Sequence, residues 1–287
     1  MSAVPHFRRM VVVGVGLIGG SLALACREKG IVSEIVGVGR GEGNLRDAVA
    51  LNIIDKYTSK IEEAVKGADI IILATPVKSL VRLAGEIGPY LSPGAIVTDV
   101  GSVKGSVVRI EDILPSAVHF IGAHPIAGKE RSGVREASSG IFKGAKCILT
   151  PTAKTNPEAL HAVQSMWEAT GARVIQMDPA KHDLIFAAVS HLPHIVAYAI
   201  VNTLLDLERT EKGVISYSAG GFRDFTRIAA SHPEMWRDIC LMNRENIIGM
   251  LEQFEGSIAR LKSLIQSDDA EGLYREFERA KQVREKL

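Results

Sequence analysis

The stretch GAHPIAGKE, residues 122–130, sets His124 between small residues and a proline, with Glu130 six positions on. An imidazole titrates close to neutral pH, so a histidine at a glycine-flanked, exposed strand end suits proton transfer better than core packing. A second stretch, TDVGSVKGSV, places Ser102 and Lys104 directly after another apolar run. A third, VVVGVGLIGGSL, carries Gly14, Gly16 and Gly19 in a GxGxxG arrangement. It follows a strand-like run and opens a helical pattern, which is the context a dinucleotide site requires. There Gly14 permits the tight turn, Gly16 lets the backbone approach a pyrophosphate and Gly19 lets helix and strand pack closely. The helix N-terminus, at Leu17 and Ile18, offers free N–H groups to that anion.

These residues need a scaffold that brings strand ends to one rim. Between residues 10 and 100, short β-branched runs (MVVVGVG, EIVGVGR, ADIIILATP, GAIVTDVGS) alternate with helical patterns. HFIGAHP and KCILTP read as two further strands, NPEALHAVQSMWEATG as a helix capped by Asn156 and stopped at Gly171, and ARVIQM as the last strand. Such alternation predicts an α/β fold, a Rossmann-type parallel sheet covered by helices, over residues 1–178. Ligands of such sheets bind beyond the carboxyl ends of the strands, which puts Ser102 and His124 at one edge. From about residue 179 to 287 no alternating β runs appear, and the pattern predicts an all-α second domain. Residues 180–208 read as one helix containing Pro193. Residues 241–266 carry Ile247, Leu251, Phe254, Ile258, Leu261 and Ile265 in steps of four and three, a seam that fits core packing or pairing with a second copy of the chain.

The dinucleotide could be NAD or NADP. The second strand ends in Gly39 and Arg40 where an acid would bind the ribose hydroxyls. Arg40 could accept a 2′-phosphate, or stack on the adenine of NAD. Thr75 and Pro76, in ATPVKSL, would line the second half of the cofactor or simply make a strand-to-helix turn.

A net charge of +1 on 287 residues argues against nucleic acid as partner. Hydrophobic residues at 46% and charged residues at 23% suit a soluble globular protein with a sizeable core. Cys26, Cys147 and Cys240 are far apart and make neither a disulfide framework nor a zinc site. No metal site is expected: His191 and His194 are three apart with no third ligand at suitable spacing. The N-terminal segment has no long apolar leader pattern, so a cytoplasmic protein without a membrane partner is expected.

Four motifs in order, DVGSVK, GAHPIAGKE, SHLPH and GGFRDFTRIA with the following MW, resemble the prephenate dehydrogenase family, including its arogenate and cyclohexadienyl dehydrogenase relatives. The resemblance runs over essentially the whole chain. It implies oxidative decarboxylation of prephenate to 4-hydroxyphenylpyruvate with NAD or NADP, in tyrosine biosynthesis, by a homodimer joined through the C-terminal helices. By motif, His124 would accept the proton of the ring C4 hydroxyl as hydride leaves C4, and Ser102 would share that hydroxyl and orient His124. Arg227 would bind a substrate carboxylate. His194 would line the substrate pocket with His191 beside it, Glu130 would sit near the pocket mouth, and Trp236 would reach the pocket from a neighbouring subunit. Lys129 departs from the small polar residue of relatives. The chemistry independently favours these types: a dianionic substrate calls for an arginine fork, and oxidation of an alcohol calls for a base. Two other classes fit less well. A β-hydroxyacid dehydrogenase would carry a lysine and an asparagine one turn apart where this chain has HDLIFAAVSHLPHIVAYA. A non-catalytic dinucleotide sensor would not need His124, Ser102 and Arg227 together. Among the other histidines, His182 is the one that could support the site from behind.

Overall fold

The computed structural model describes residues 5–129 and 131–286. Strand β1 (Phe7–Val13) shows why the N-terminal half folds as a parallel sheet. Its apolar run is covered on both faces: Met10 and Val12 enter one core cluster, Val11 and Val13 the other. Only a sheet with helices on both sides can bury such a run. Strands β2 (Val32–Val38), β3 (Lys56–Thr58), β4 (Ile70–Leu73), β5 (Ile96–Asp99) and β6 (His119–Ile121) complete it in the order β3-β2-β1-β4-β5-β6, every pair parallel. Helices α1 (Leu17–Glu28), α2 (Glu42–Ala50), α3 (Ile61–Ala64), α4 (Leu80–Ile87) and α5 (Ile110–Ile113) lie between the strands. The strand order reverses between β1 and β4, which opens the crevice where a ligand of this fold sits.

The run HFIGAHP, expected as one strand, divides. After β6 the chain leaves the large sheet at Gly122, and β7 (Ala123–Pro125) starts a second, three-stranded sheet with β8 (Lys146–Leu149) and β9 (Arg173–Gln176). A Cβ at Gly122 would lie 2.4 Å from the Thr150 hydroxyl oxygen, so a larger residue would require the Thr150 side chain or the segment to shift. β7 and β8 are antiparallel and β8 and β9 parallel, so the sheet system is not parallel throughout. Helix α6 (Pro157–Ala169) joins β8 to β9, with the Asn156 side chain accepting from the Ala159 N–H as the expected cap.

From Pro179 onward the described residues are helical or irregular. Helix α7 (Pro179–Phe186), capped by Asp178, runs through a π turn at Ala187–His191 into α8 (Leu192–Glu208). The π turn stands just before Pro193, whose ring removes one N–H from the helical ladder. Then follow α9 (Gly220–Thr226), α10 (Pro233–Met242), α11 (Arg244–Gln266) and α12 (Ala270–Arg284). The helix expected over 241–266 is interrupted at Asn243, which turns its side chain inward. Its amide donates to the Asp183 carbonyl at 2.8 Å and to His191 Nδ1 at 3.1 Å. Trp236 and Ile239 of α10 pack into the core on one face of the large sheet, which ties the helical half to the first. The α11 seam turns outward along its length: Ile247 is buried, whereas Ile258 is 48% and Ile265 62% exposed. The continuous helical run 179–208 is, by length and composition alone, long enough and apolar enough to cross a membrane, and 22% of its apolar window is buried within the protomer.

Candidate active site

The glycine motif has the geometry a dinucleotide demands. Gly14 ends β1 with φ +97°, a left-handed backbone, and a Cβ there would stand 2.6 Å from the Ala74 carbonyl oxygen. A Cβ at Gly19 would stand 2.4 Å from the Gly14 carbonyl oxygen. Gly16 differs, because a Cβ there would meet nothing within 4 Å. The protein therefore needs glycine at 14 and 19 to pack, while at 16 it leaves open space at the start of α1. The N-cap of α1 is Gly16 itself, with no side chain capping the first N–H groups at Leu17 and Ile18. An open, uncapped helix N-terminus at the strand-order reversal fits a pyrophosphate. Thr75 and Pro76 follow β4 across the same crevice. The Ser79 hydroxyl donates to the Pro76 carbonyl at 2.7 Å, so the Thr75 hydroxyl, also 2.7 Å away, donates to Ser79. Arg40 is exposed two residues beyond the end of β2.

The rim that holds His124 is built from buried charge. Lys104 and Asp99 form an ion pair shielded from solvent. Lys104 Nζ also donates to the Ala123 carbonyl at 2.8 Å, and Asp99 accepts from the Ala123 N–H at 3.1 Å. The residue before His124 is thus fixed by both members of the pair. His124 Nδ1 lies 2.9 Å from His182 Nε2, and His182 Nδ1 lies 2.8 Å from Asp183 Oδ1. Phe186, one turn beyond His182 on α7, stacks on the His182 ring at 4.5 Å and tilts against His124 at 4.9 Å. Burial first, then the charges of His182, Lys104 and His191, hold the His124 imidazole well below its ordinary range and favour the neutral form. Ser102 is half-buried after β5. Among the described residues it makes no hydrogen bond to His124, whose orientation comes from His182 instead. That corrects the expectation that Ser102 orients the histidine.

The two histidines of SHLPH part company. His191 is buried, accepts from Asn243 and is pushed by burial down to about 4. His194 is half-buried and donates from Nδ1 to the Ser190 carbonyl at 2.9 Å, which leaves Nε2 as its lone pair. Trp236 stacks on His194 at 3.8 Å and meets His191 edge-on at 6.0 Å within the same chain. It was expected from a neighbouring subunit; the packing of α10 on α8 already brings it to His194 of its own protomer. Arg227 begins the short turn after α9 and lines a cleft of about 550 Å³ with Gly128, Lys129, Arg131, Glu136 and Ser231. Lys129 and Arg131 lie on the loop that leaves β7 after His124. The described lining of this cleft carries the charges of Lys129, Arg131, Arg227 and Glu136. Glu130 lies outside the described residues. No group of three or more potential metal ligands occurs among those described.

The His182–Asp183 pair is the part of the site that sequence reasoning left undeveloped. The adjacent HD at the start of α7 was a visible signal, but its partner His124 is 58 residues away.

Comparison with known proteins covers both halves. Residues 22–176 match the family model described as prephenate dehydrogenase, nucleotide-binding domain, and residues 178–279 match prephenate dehydrogenase, dimerization domain. The chain is 37% identical over 280 residues to a prephenate dehydrogenase of Bacillus subtilis, covering 97% of this chain and 76% of that one. It is 34% identical to a cyclohexadienyl dehydrogenase of Zymomonas mobilis, covering 97% and 95%. A crystal structure of prephenate dehydrogenase from A. aeolicus, in complex with hydroxyphenyl propionate and NAD+, superposes with a TM-score of 0.92 at 42% identity, covering 97% and 98%.

Proposed function

The chain belongs to the prephenate dehydrogenase family, and from that premise we propose that it oxidises and decarboxylates prephenate to 4-hydroxyphenylpyruvate at the rim held by His124. The observation that carries the reading is a half-buried imidazole, whose neutral form its surroundings favour, beside a dinucleotide crevice. A neutral imidazole is the form that can take a proton from an alcohol. His124 accepts the C4 hydroxyl proton, and C4 becomes a ketone carbon. A nicotinamide held at the glycine motif would supply the acceptor for the C4 hydride. The C1–carboxylate bond then breaks, carbon dioxide leaves, its bonding electrons complete the aromatic ring, and the phenolate oxygen regains a proton. Arg227 binds a substrate carboxylate, with Lys129 and Arg131 adding positive charge at the mouth. Ser102 contacts the reacting hydroxyl, His194 with Trp236 stacked behind it lines the pocket, and His191 supports that wall. Glu130 is assigned to the pocket mouth by motif.

In this reading residues 1–178 hold the cofactor, through Gly14, Gly16, Leu17, Ile18, Gly19, Thr75 and Pro76. Residues 179–287 supply the substrate side and the homodimer contact. At the ribose end, the Arg40 guanidinium offers charge to a 2′-phosphate, and the position after β2 carries no carboxylate to repel it. NADP is therefore used at least as well as NAD. The protein acts in the cytoplasm, and a second copy rather than lipid or nucleic acid covers its apolar helices.

Steady-state reduction of NAD and NADP with prephenate and arogenate in parallel tests this. Turnover of prephenate with a kcat/KM ratio of NADP to NAD that falls in Arg40→Ala is the expected result. No turnover of either substrate with either cofactor would overturn the assignment. Turnover of arogenate alone would leave the fold of the site intact and change its substrate.

A further inference from the structure

We propose that His182 and Asp183 are positioning residues that fix the tautomer of His124, so that its bare nitrogen is Nε2, the one turned from the buried chain and free to meet the substrate hydroxyl. The inference deepens the proposed function and rests on His124 being its base.

The argument is a count of protons along a buried hydrogen-bond chain. Asp183 Oδ1 accepts from the Lys104 N–H at 2.7 Å, and Oδ2 accepts from the Gly105 N–H at 2.7 Å. A carboxylate so held only accepts, so the 2.8 Å contact with His182 Nδ1 requires a proton on that nitrogen. His182 is fully buried, and burial disfavours its charged form. A neutral imidazole carries one proton. With that proton on Nδ1, His182 Nε2 is an acceptor. The partner at 2.9 Å, His124 Nδ1, must then be the donor. His124 in turn keeps its only proton on Nδ1, and its Nε2 is the lone pair.

Nothing in the chain can easily shift. Phe186 clamps both rings. The two backbone donors on Asp183 come from the segment after β5, and the carboxylate itself from α7, so the device spans both halves of the protein. The Asn243 amide, donating to the Asp183 carbonyl, holds the backbone of the same residue. Fixing the second nitrogen of a functional imidazole through a hydrogen bond is a general means of setting which nitrogen reacts.

The test combines a spectroscopic readout with kinetics. Nitrogen-15 shifts of the His124 ring in the wild-type protein without substrate should report a protonated Nδ1 and a bare Nε2. His182→Leu, which keeps bulk and removes the acceptor, should lower kcat about 10- to 100-fold while leaving KM for prephenate and the dissociation constant for cofactor within about twofold. His182→Gln, whose amide oxygen reaches close to the lost Nε2, should recover most of the rate. A wild-type His124 carrying its proton on Nε2 would overturn the proposal, as would an unchanged kcat in His182→Leu. Should the leucine variant not fold, the wild-type shifts and the glutamine variant still decide. If the wild type does not turn over prephenate, the assigned reaction fails while the ring shifts still decide the tautomer.

Discussion

At His124, burial and the neighbouring His182, Lys104 and His191 disfavour the imidazolium, so the neutral ring is favoured at a pH where a solvated histidine would be partly protonated. The opposing charges face it from behind: Asp183 across His182, and Asp99 in its ion pair with Lys104. The sign of the pH dependence follows. With neutral His124 as the proposed base, the rate should fall as pH drops through the His124 pKa and be flat above it. Because that pKa lies below 6.5, the acid limb of kcat/KM for prephenate should lie below pH 6.5, measured across buffers of constant ionic strength. A limb centred above 6.5 would mean that another group is the base. The positions of His124 at a strand end and of Arg227 beside a cleft were legible in the sequence, because the motifs place them. The role of His182 was not, because it arises from a contact across 58 residues that no local spacing encodes.

The glycine motif separates what an element needs for folding from what it needs for a ligand. A Cβ at Gly19 would meet the Gly14 carbonyl at 2.4 Å, whereas one at Gly16 would meet nothing within 4 Å. Gly19→Ala should therefore cost about 1–3 kcal/mol of stability, seen as a lowered Tm. Gly16→Ala should leave Tm close to wild type and weaken dinucleotide binding about tenfold or more, measured by fluorescence titration; intact affinity in Gly16→Ala would remove the pyrophosphate from that space. The run before this motif was legible because buried parallel strands are written as unbroken apolar runs. The division of HFIGAHP at Gly122 was not, since it goes with the close approach of the Thr150 segment, distant in the sequence. Likewise, Pro193 and Asn243 modify helices through a π turn and an inward hydrogen bond, which periodicity alone does not reveal.

For the molecule as a whole, the proposed homodimer would cover apolar surface that a lone protomer leaves open, and the C-terminal residues match a dimerization domain. The 179–208 run is 22% buried in its apolar window, and the α11 seam ends on exposed Ile258 and Ile265. A double substitution, Ile258→Glu with Ile265→Glu, should shift sedimentation from dimer towards monomer; an unchanged dimer would place the contact on other helices. The central claim concerns how the two halves meet: an imidazole from one sheet rim and a guanidinium from the helical half act on one small dianion. The measurement that tests it most directly is steady-state kinetics of His124→Asn beside Arg227→Ala, with cofactor binding measured separately. The account predicts that His124→Asn lowers kcat by about 10²- to 10⁴-fold with cofactor affinity unchanged, while Arg227→Ala mainly raises KM for prephenate. An unaltered kcat in the first, together with an unaltered KM in the second, would contradict it.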